Sequence, residues 1–365
     1  MPARLGALAE KAKAARIGLT VDAEEARRLE LSLEVFRTVF AQPALHGWEG
    51  FGVAVQSYQK RAPAVIDWLA ELADTHGRRI PLRLVKGAYW DSEIKAAQQQ
   101  GLKDYPVFTR KANTDVAFLA CARQALAEPD AFYPQFATHN AHTLAAVLEL
   151  AGERRGLEFQ RLHGMGEALY EKLLSERPDL HCRVYAPVGG HEVLLPYLVR
   201  RLLENGANTS FVNRIVDEAT PIERLVTDPV ERVRARETVR HPRIPLPRDL
   251  YGKERANAAG VCLDAPDELA ALAEGIADAQ RWDGSATPLV AGKTWRGTAR
   301  PIHSPADRDR WVGEATEADA AAATQAMAAA AQAAPVWRRT DASERAAVLE
   351  AAAELIEAHR AELIT

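Results

Sequence analysis

The sequence predicts a mixed α/β chain whose larger part is a partial (βα)8 barrel of the TIM type. Three observations carry this. From residue 1 to about 218, short apolar runs alternate with amphipathic stretches of helical period, which implies parallel strands joined by helical crossovers. Six such runs are found where a closed barrel has eight. A polar residue closes nearly every run (Asp22, Gln56, Lys86, His139, His163 and Tyr185), and the functional groups of a barrel gather at the C-terminal rim of its strands. An open doubly wound sheet is the alternative; the recurring polar ends favour the barrel.

Taken in order, strands are expected over 16–21, 52–56, 82–86, 134–138, 158–162 and 183–186. Helices are expected near 23–40, 62–76, 91–100, 111–127, 142–151, 166–175 and 190–204. The barrel part is therefore bounded at 1–218. Over 219–280 proline and charge rise and no long periodic core remains, the pattern of a connector, with a short helix over 268–280. A third pattern fills 281–365: two extended segments with tryptophan and turn residues, then two helices. The first is alanine-rich, from 318 to about 333. The second starts after Asp341 or Ser343, has Glu344 in its first turn, and continues to the end.

Composition narrows the class. Hydrophobic residues make up 47% of the 365 and charged residues 26%, the profile of a globular chain. The formal charge of -4 argues against nucleic-acid binding through a basic surface. No run of about 18 apolar residues is present, so no membrane-spanning helix is expected. The first 25 residues lack the apolar core and cleavage site of a signal peptide. Cys121, Cys182 and Cys262 lie far apart, which suits a reducing, cytoplasmic setting.

Two stretches carry chemistry. Leu82–Asp91, LRLVKGAYWD, reads as a buried strand running into a turn with cations, a glycine and two aromatics; Arg83 and Lys86 would flank a hollow that a flat, electron-poor ring could fill. Tyr197, Arg200, Arg201 and Glu204 fall at i, i+3, i+4 and i+7 and so share one helix face. Two guanidinium groups side by side suit a small carboxylate. A surface helix with an Arg200–Glu204 pair accounts for the same face, and the helix alone does not choose. Asp22 is either a helix N-cap or a carboxylate at the barrel mouth that orients an arginine. Gln56 could hydrogen-bond the edge of a planar ring. His139 and His142, at i, i+3, lack a third ligand cluster, so no metal is expected. His163-Gly164-Met165-Gly166 lacks the third glycine of a dinucleotide fingerprint.

Together these stretches, with DAEEARRLELS, VQSYQKR, YPVFTRKANTDV, YPQFATHNAHTLAAV, EFQRLHGMGEALYE and CRVYAPVGGHEVLLPYLVRRLLENGANTSFVNRI, closely resemble the proline dehydrogenase domain of the proline utilization A family, bifunctional bacterial flavoenzymes of proline catabolism. The resemblance spans about residues 16–218. From about residue 288 the chain resembles the N-terminal part of an aldehyde dehydrogenase, in that family the L-glutamate γ-semialdehyde dehydrogenase.

The resemblance implies a distorted (βα)8 barrel binding FAD at the strand C-termini, with its last helix over the mouth. Arg200 and Arg201 would clamp the L-proline carboxylate, Glu204 would hold the clamp, and Asp22 would brace an arginine from the other side. Tyr89, Leu162, Tyr185 and Tyr197 would wall the pyrrolidine ring. Gln56, Arg83, Val85, Gly87, Trp90, Thr109, Lys111, His139 and Gln160 would touch FAD. A hydride would pass from a ring carbon beside nitrogen to flavin N5, and the product, pyrroline-5-carboxylate, would open to the semialdehyde. A quinone electron acceptor, peripheral membrane association and oligomer formation are further implications. NAD is implied only for the second domain of the parent protein. The family carries two strands and a substrate-site lysine upstream of Asp22, and a catalytic cysteine and glutamate downstream of residue 365. The resemblance thus implies an internal fragment, with two rival readings: a non-catalytic piece, or a flavin barrel acting on another small cyclic amino acid.

Overall fold

The computed structural model describes residues 1–206, 226–279 and 284–364, without the side chains of residues 193 and 202–206. The chain divides into two compact units, Met1–Gly260 and Val261–Thr365.

The first unit is built on one parallel sheet. Its strands are β1 (Leu19–Val21), β2 (Phe51–Gln56), β3 (Ile80–Val85), β4 (Phe132–Ala137), β5 (Glu158–Leu162) and β6 (His181–Tyr185), hydrogen-bonded in chain order. Between them run α1 (Pro2–Ala14, before β1), α2 (Leu29–Phe40), α3 (Ala62–His76), α4 (Trp90–Gln99), α5 (Lys111–Ala127), α6 (Ala141–Ala151) and α7 (Glu167–Glu176); α8 (His191–Gly206) follows β6. Sequential parallel order with a helix after nearly every strand is the (βα) arrangement of a partial barrel.

Local chemistry sets these elements. All six residues of β2, FGVAVQ, are buried, as expected of a strand covered on both faces. Pro63 lies in the first turn of α3, and Gly77 ends the helix at φ +57°, where glycine has no Cβ to clash. Asn140 caps α6, its side chain accepting from Thr143 N at 2.9 Å. The core lies between the sheet and its helices, with Phe36, Phe40, Phe51, Phe118, Phe132, Phe136 and Phe159 fully buried.

Register aligns the strand ends. Gln56 lies beside Val85, Ala137 beside Gln160, and Leu162 beside Tyr185. The C-terminal residues of five strands therefore reach one rim.

Several expected bounds shift. The N-terminal helix α1 was not expected. Its last turn absorbs the start of the first strand: Ile17 N bonds back to Ala12 O and Arg16 takes φ +57°. The helix expected from residue 23 begins at Leu29 after a 3-10 turn, Ala26–Arg28, because Glu25 is extended and Ala26 N donates to Glu93 Oε1 at 2.6 Å. Residues 238–260 lie against α4 and α5. Tyr105 Oη donates to Pro245 O at 2.6 Å, Asn113 Nδ2 to Val239 O at 3.0 Å, and Gly260 N to Gly101 O at 2.9 Å.

The second unit holds a helix, Pro266–Ala279, and small sheets. Ala299–His303 pairs antiparallel with Trp311–Thr316. Leu289–Val290 and Lys293–Thr294 form a hairpin whose two turn residues, Ala291 and Gly292, both have positive φ, as a two-residue turn of the primed type requires. The alanine-rich helix runs Ala320–Arg339, past the expected end, with Pro335 inside it. Proline removes one intrahelical bond, but alanine is the strongest helix former and Arg338 and Arg339 favour the C-terminal dipole. The last helices are Ala342–Ala358 and Arg360–Ile364. Among the described residues, no helix is long and apolar enough to cross a membrane.

Candidate active site

At the rim a cavity of ≈ 650 Å³ opens between the strand ends and α8, a size typical of small-molecule sites. Of the residues singled out in the sequence, Asp22, Gln56, Arg83, Val85, Gly87, Tyr89, Lys111, His139, Gln160, Leu162, Tyr185, Tyr197, Arg200 and Arg201 all line it. They come from the ends of all six strands, the turn after β3, the start of α5, and α8.

Arg83 is held from two sides. Its Nε donates to Gln160 Oε1 at 2.8 Å, and its Nη1 pairs with Asp22 Oδ1. The arginine side chain is 15% exposed and that of Asp22 53%. The guanidinium carbon stands 5.7 Å from the Tyr185 ring centre. The carboxylate just after β1 thus pairs with an arginine, and it caps no helix, since the following 3-10 turn and α2 begin only at Ala26 and Leu29.

After β3 the chain turns tightly along the cavity. Ser57 N bonds to Val85 O and Tyr58 N to Lys86 O, both at 2.8 Å, extending the β2–β3 pairing past both strands. Gly87 has φ +135°, and a Cβ there would stand 2.4 Å from Tyr58 Cδ1. Only glycine fits between that buried ring and the cavity. Gln56 Oε1 accepts from Gln59 Nε2 at 2.9 Å, and its Nε2 donates to Ala23 O at 3.3 Å.

Asp115 links two cations beneath this turn. It meets Lys86 Nζ at 2.5 Å and Lys111 Nζ at 3.0 Å, while Lys86 also donates to Thr143 Oγ1 at 3.1 Å. Burial pushes the Asp115 carboxyl up, but Lys86 and Lys111 outweigh it and hold the group below its ordinary range. Burial likewise pulls the Lys86 ammonium down, against the opposing pull of Asp115.

His139 is neutral at physiological pH. Burial, with Arg201 and Arg161 nearby, lowers its pKa to about 4. Leu162 N donates to its Nε2 at 3.0 Å, so the neutral ring carries its proton on Nδ1. A Cβ at Gly166 would come within 3.1 Å of His139 Cδ2, so that glycine makes room for the ring.

On α8, Arg200 lies 5.3 Å from the centre of the Tyr89 ring and Arg201 5.5 Å from that of Tyr197. The Tyr185 and Tyr197 rings are 6.4 Å apart. Tyr89 Oη donates to Glu24 Oε2 at 3.2 Å, and burial, reinforced by Glu24, raises the phenol pKa. Two guanidinium groups and three tyrosine rings therefore share one end of the cavity, a setting for a small anion with an apolar body. The Glu204 side chain lies outside the described residues.

Trp90 and Thr109 do not line this cavity. Trp90 Nε1 donates to Phe108 O at 2.8 Å and the indole packs on a small cluster with Tyr58 and Tyr105. Thr109 is buried and its Oγ1 accepts from His241 N at 3.0 Å. Conversely, Glu24, Asn140, Arg161, Met165, Val188 and Leu194 line it although no sequence signal marked them. Arg161 alternates with Gln160 along β5, so strand period would send it to the opposite face; it borders the cavity, with Nη1 donating to Leu162 O at 3.4 Å and Met165 O at 3.3 Å. Among the described residues, no cluster of three or more His, Cys, Asp or Glu could hold a metal ion.

Comparison with known proteins agrees with this architecture. Residues 2–214 match the proline dehydrogenase family and residues 293–365 the aldehyde dehydrogenase family. The bifunctional protein PutA of Klebsiella aerogenes is 50% identical over 367 residues, covering 97% of this chain and 28% of that protein. The chain therefore spans little more than a quarter of the length of such curated relatives. A mutant of proline utilization A (PutA) from Bradyrhizobium japonicum superposes with a TM-score of 0.85 at 47% identity, over 99% of this chain and 33% of that one. PutA from Bdellovibrio bacteriovorus, inactivated by N-propargylglycine, gives 0.84 at 29% identity, over 100% and 37%. With the family match covering more than half of its residues, and its strand-end cavity inside that match, the chain belongs to the proline dehydrogenase family.

Proposed function

We propose that the first unit oxidises L-proline to pyrroline-5-carboxylate with FAD. The observation that carries this is the end of the cavity where Arg200 and Arg201 stand against Tyr89 and Tyr197, facing a wall of amide and cationic groups on the strand ends.

The residues present suit a flavin. Gly87 lets the turn after β3 pass tight against the Tyr58 ring while it borders the cavity. Arg83, Lys111, His139 and Gln160 offer donors and acceptors along one wall, matching the carbonyl and nitrogen edges of a flavin ring. Gln56 and Val85 complete that wall. When bound, the flavin supplies the acceptor for the hydride that leaves the ring carbon beside the proline nitrogen.

The chain's own groups bind and orient. Arg200 and Arg201 fix the substrate carboxylate, which sets the reach of the ring into the cavity. Tyr89, Leu162, Tyr185 and Tyr197 wall the pyrrolidine. Asp22 and Gln160 hold Arg83 so that its charge faces the cofactor wall, where it stabilises developing negative charge. On this reading Glu204 supports the arginine pair, and Trp90 and Thr109 support the cofactor wall from behind.

For the whole protein we propose re-oxidation by a quinone, peripheral membrane contact, and a cytoplasmic location with oligomer formation. We also propose NAD-dependent oxidation of the opened product, glutamate γ-semialdehyde, by a domain to which residues 293–365 belong. The test of the first reaction is direct. FAD is added to the chain, and the flavin absorbance is followed anaerobically as L-proline is titrated in. Wild type should bleach. Removing one guanidinium in Arg200→Met or Arg201→Met should raise the proline KM by roughly 30-fold or more, with a smaller change in kcat. Unchanged KM values in both variants would remove the clamp assignment; bleaching only by another cyclic amino acid would redirect the substrate.

A further inference from the structure

We propose that Glu158 is a positioning residue for Arg83, acting through the amide of Gln160. The inference rests on the reading of Arg83 as a cofactor-facing group, and it concerns a carboxylate outside the cavity lining.

Glu158 opens β5 and faces inward with Gln160 two residues on. It is nearly dry, with a side-chain exposure of 3%. It accepts five hydrogen bonds. Gln160 Nε2 donates to Oε1 at 2.7 Å, Gln135 Nε2 at 3.0 Å and Arg183 Nε at 2.9 Å. Arg183 Nη2 and Tyr133 Oη donate to Oε2 at 3.0 and 3.3 Å. Burial pushes the carboxyl pKa up, but the Arg183 and Gln160 bonds prevail and keep the group ionised.

An ionised carboxylate only accepts. The Gln160 amide must therefore turn its NH2 toward Glu158, which leaves its Oε1 toward Arg83 Nε, where the bond is 2.8 Å. The opposite amide orientation would place oxygen against carboxylate and NH2 against guanidinium, unfavourable at both ends. Gln135 shows how strong the demand is. Its NH2 is also committed to Glu158, and its buried Oε1 has no hydrogen-bond partner among the described residues, an arrangement that costs free energy. Glu158 thus locks from its side the amide orientation that Arg83 also requires, and Asp22 holds the guanidinium from the far side. An amide at position 158 carries both a donor and an acceptor and no longer dictates that orientation.

The experiment reads Arg83 without a cofactor. The Nε–H resonance of Arg83, assigned by its loss in Arg83→Lys, is followed in the full chain by ¹⁵N-resolved NMR with solvent-exchange rates. Wild type should show slow exchange. Glu158→Gln should shift the resonance and speed its exchange at least 10-fold. The double variant Glu158→Gln/Gln160→Glu restores an acceptor facing Arg83 and a donor at position 158, and should return the slow exchange. An unchanged Arg83 signal in Glu158→Gln, or no recovery in the double variant, would overturn the proposal. Should Glu158→Gln not fold, two measurements decide. Glu158→Asp, which keeps an acceptor-only group, should retain the signal, and fast exchange in wild type would itself overturn the relay. FAD titration in parallel separates the claims. A wild type that binds no FAD, with Arg83 responding to the swap, removes the cofactor reading and supports the relay. FAD binding with an unresponsive Arg83 removes the relay. Where both hold, Glu158→Gln should weaken FAD about 10-fold.

Discussion

Two arginines lie five residues apart at opposite ends of β3, and their partners differ in kind. Arg78, just before the strand, is 4% exposed. Among the described residues it donates only to backbone carbonyls, those of Phe40, Leu45 and Trp48, and its guanidinium carbon stands 3.7 Å from the Phe40 ring centre. Among the described residues no carboxylate compensates it, and burial lowers its pKa. Arg83, near the other end, meets a carboxylate and a side-chain amide and borders the cavity. The first arginine closes off loose carbonyls at the N-terminal end of the strand; the second is held at the rim with charge to offer. In a barrel those two ends divide stability from chemistry, and here the division falls within one six-residue strand.

Three changes test that contrast. Arg78→Met keeps the stem but strips the donors from three carbonyls, at least two of them deeply enclosed. It should destabilise the fold by about 3 kcal/mol or more in urea unfolding, while the folded fraction still binds FAD. A loss below about 1 kcal/mol would erase the distinction between the two ends.

The rim itself should carry a pH cost through His139. Its folded pKa of about 4 lies below the ordinary value near 6.5, so between those values the unfolded chain binds more protons and stability rises with pH. The contribution is complete above about pH 6.5 and is lost as pH falls toward 4, amounting to at most about 3 kcal/mol. His139→Gln should flatten that part of the stability–pH curve; an unaltered slope would assign the acid sensitivity elsewhere. The smallest effect is expected from Arg83→Met. FAD affinity should fall about 10- to 100-fold. Unfolding should shift by only about 1–2 kcal/mol, because Asp22 is half exposed and regains water while the buried Gln160 Oε1 loses its donor. A large stability loss would make Arg83 a second Arg78.

Much of the fold was legible in the residues. The strands over 158–162 and the helices over 62–76 and 111–127 follow from period and punctuation, and agree with the structure to the residue. The helix α1 escaped because its buried face is only Gly6, Ala9 and Ala12, too small to register as an apolar stripe. The lining of the cavity was legible where motifs marked it. It was not legible where a neighbour decides the geometry: Trp90 and Thr109 turn to Phe108 and to the backbone of His241, and Asp115 joins two lysines from within a helix that sequence alone reads as ordinary.

By itself the sequence determined the alternation of strands and helices, the polar residue at each strand end, and the two arginines on one face of α8. These depend on residues close together in the chain, where backbone periodicity converts spacing directly into direction. Only the tertiary structure decided which polar groups meet. Arg83 reaches Asp22 across 61 residues and Gln160 across 77. No local rule relates such positions. Their meeting is set by strand register, and the orientation of the Gln160 amide by the buried carboxylate of Glu158, which must be satisfied wherever the sheet places it.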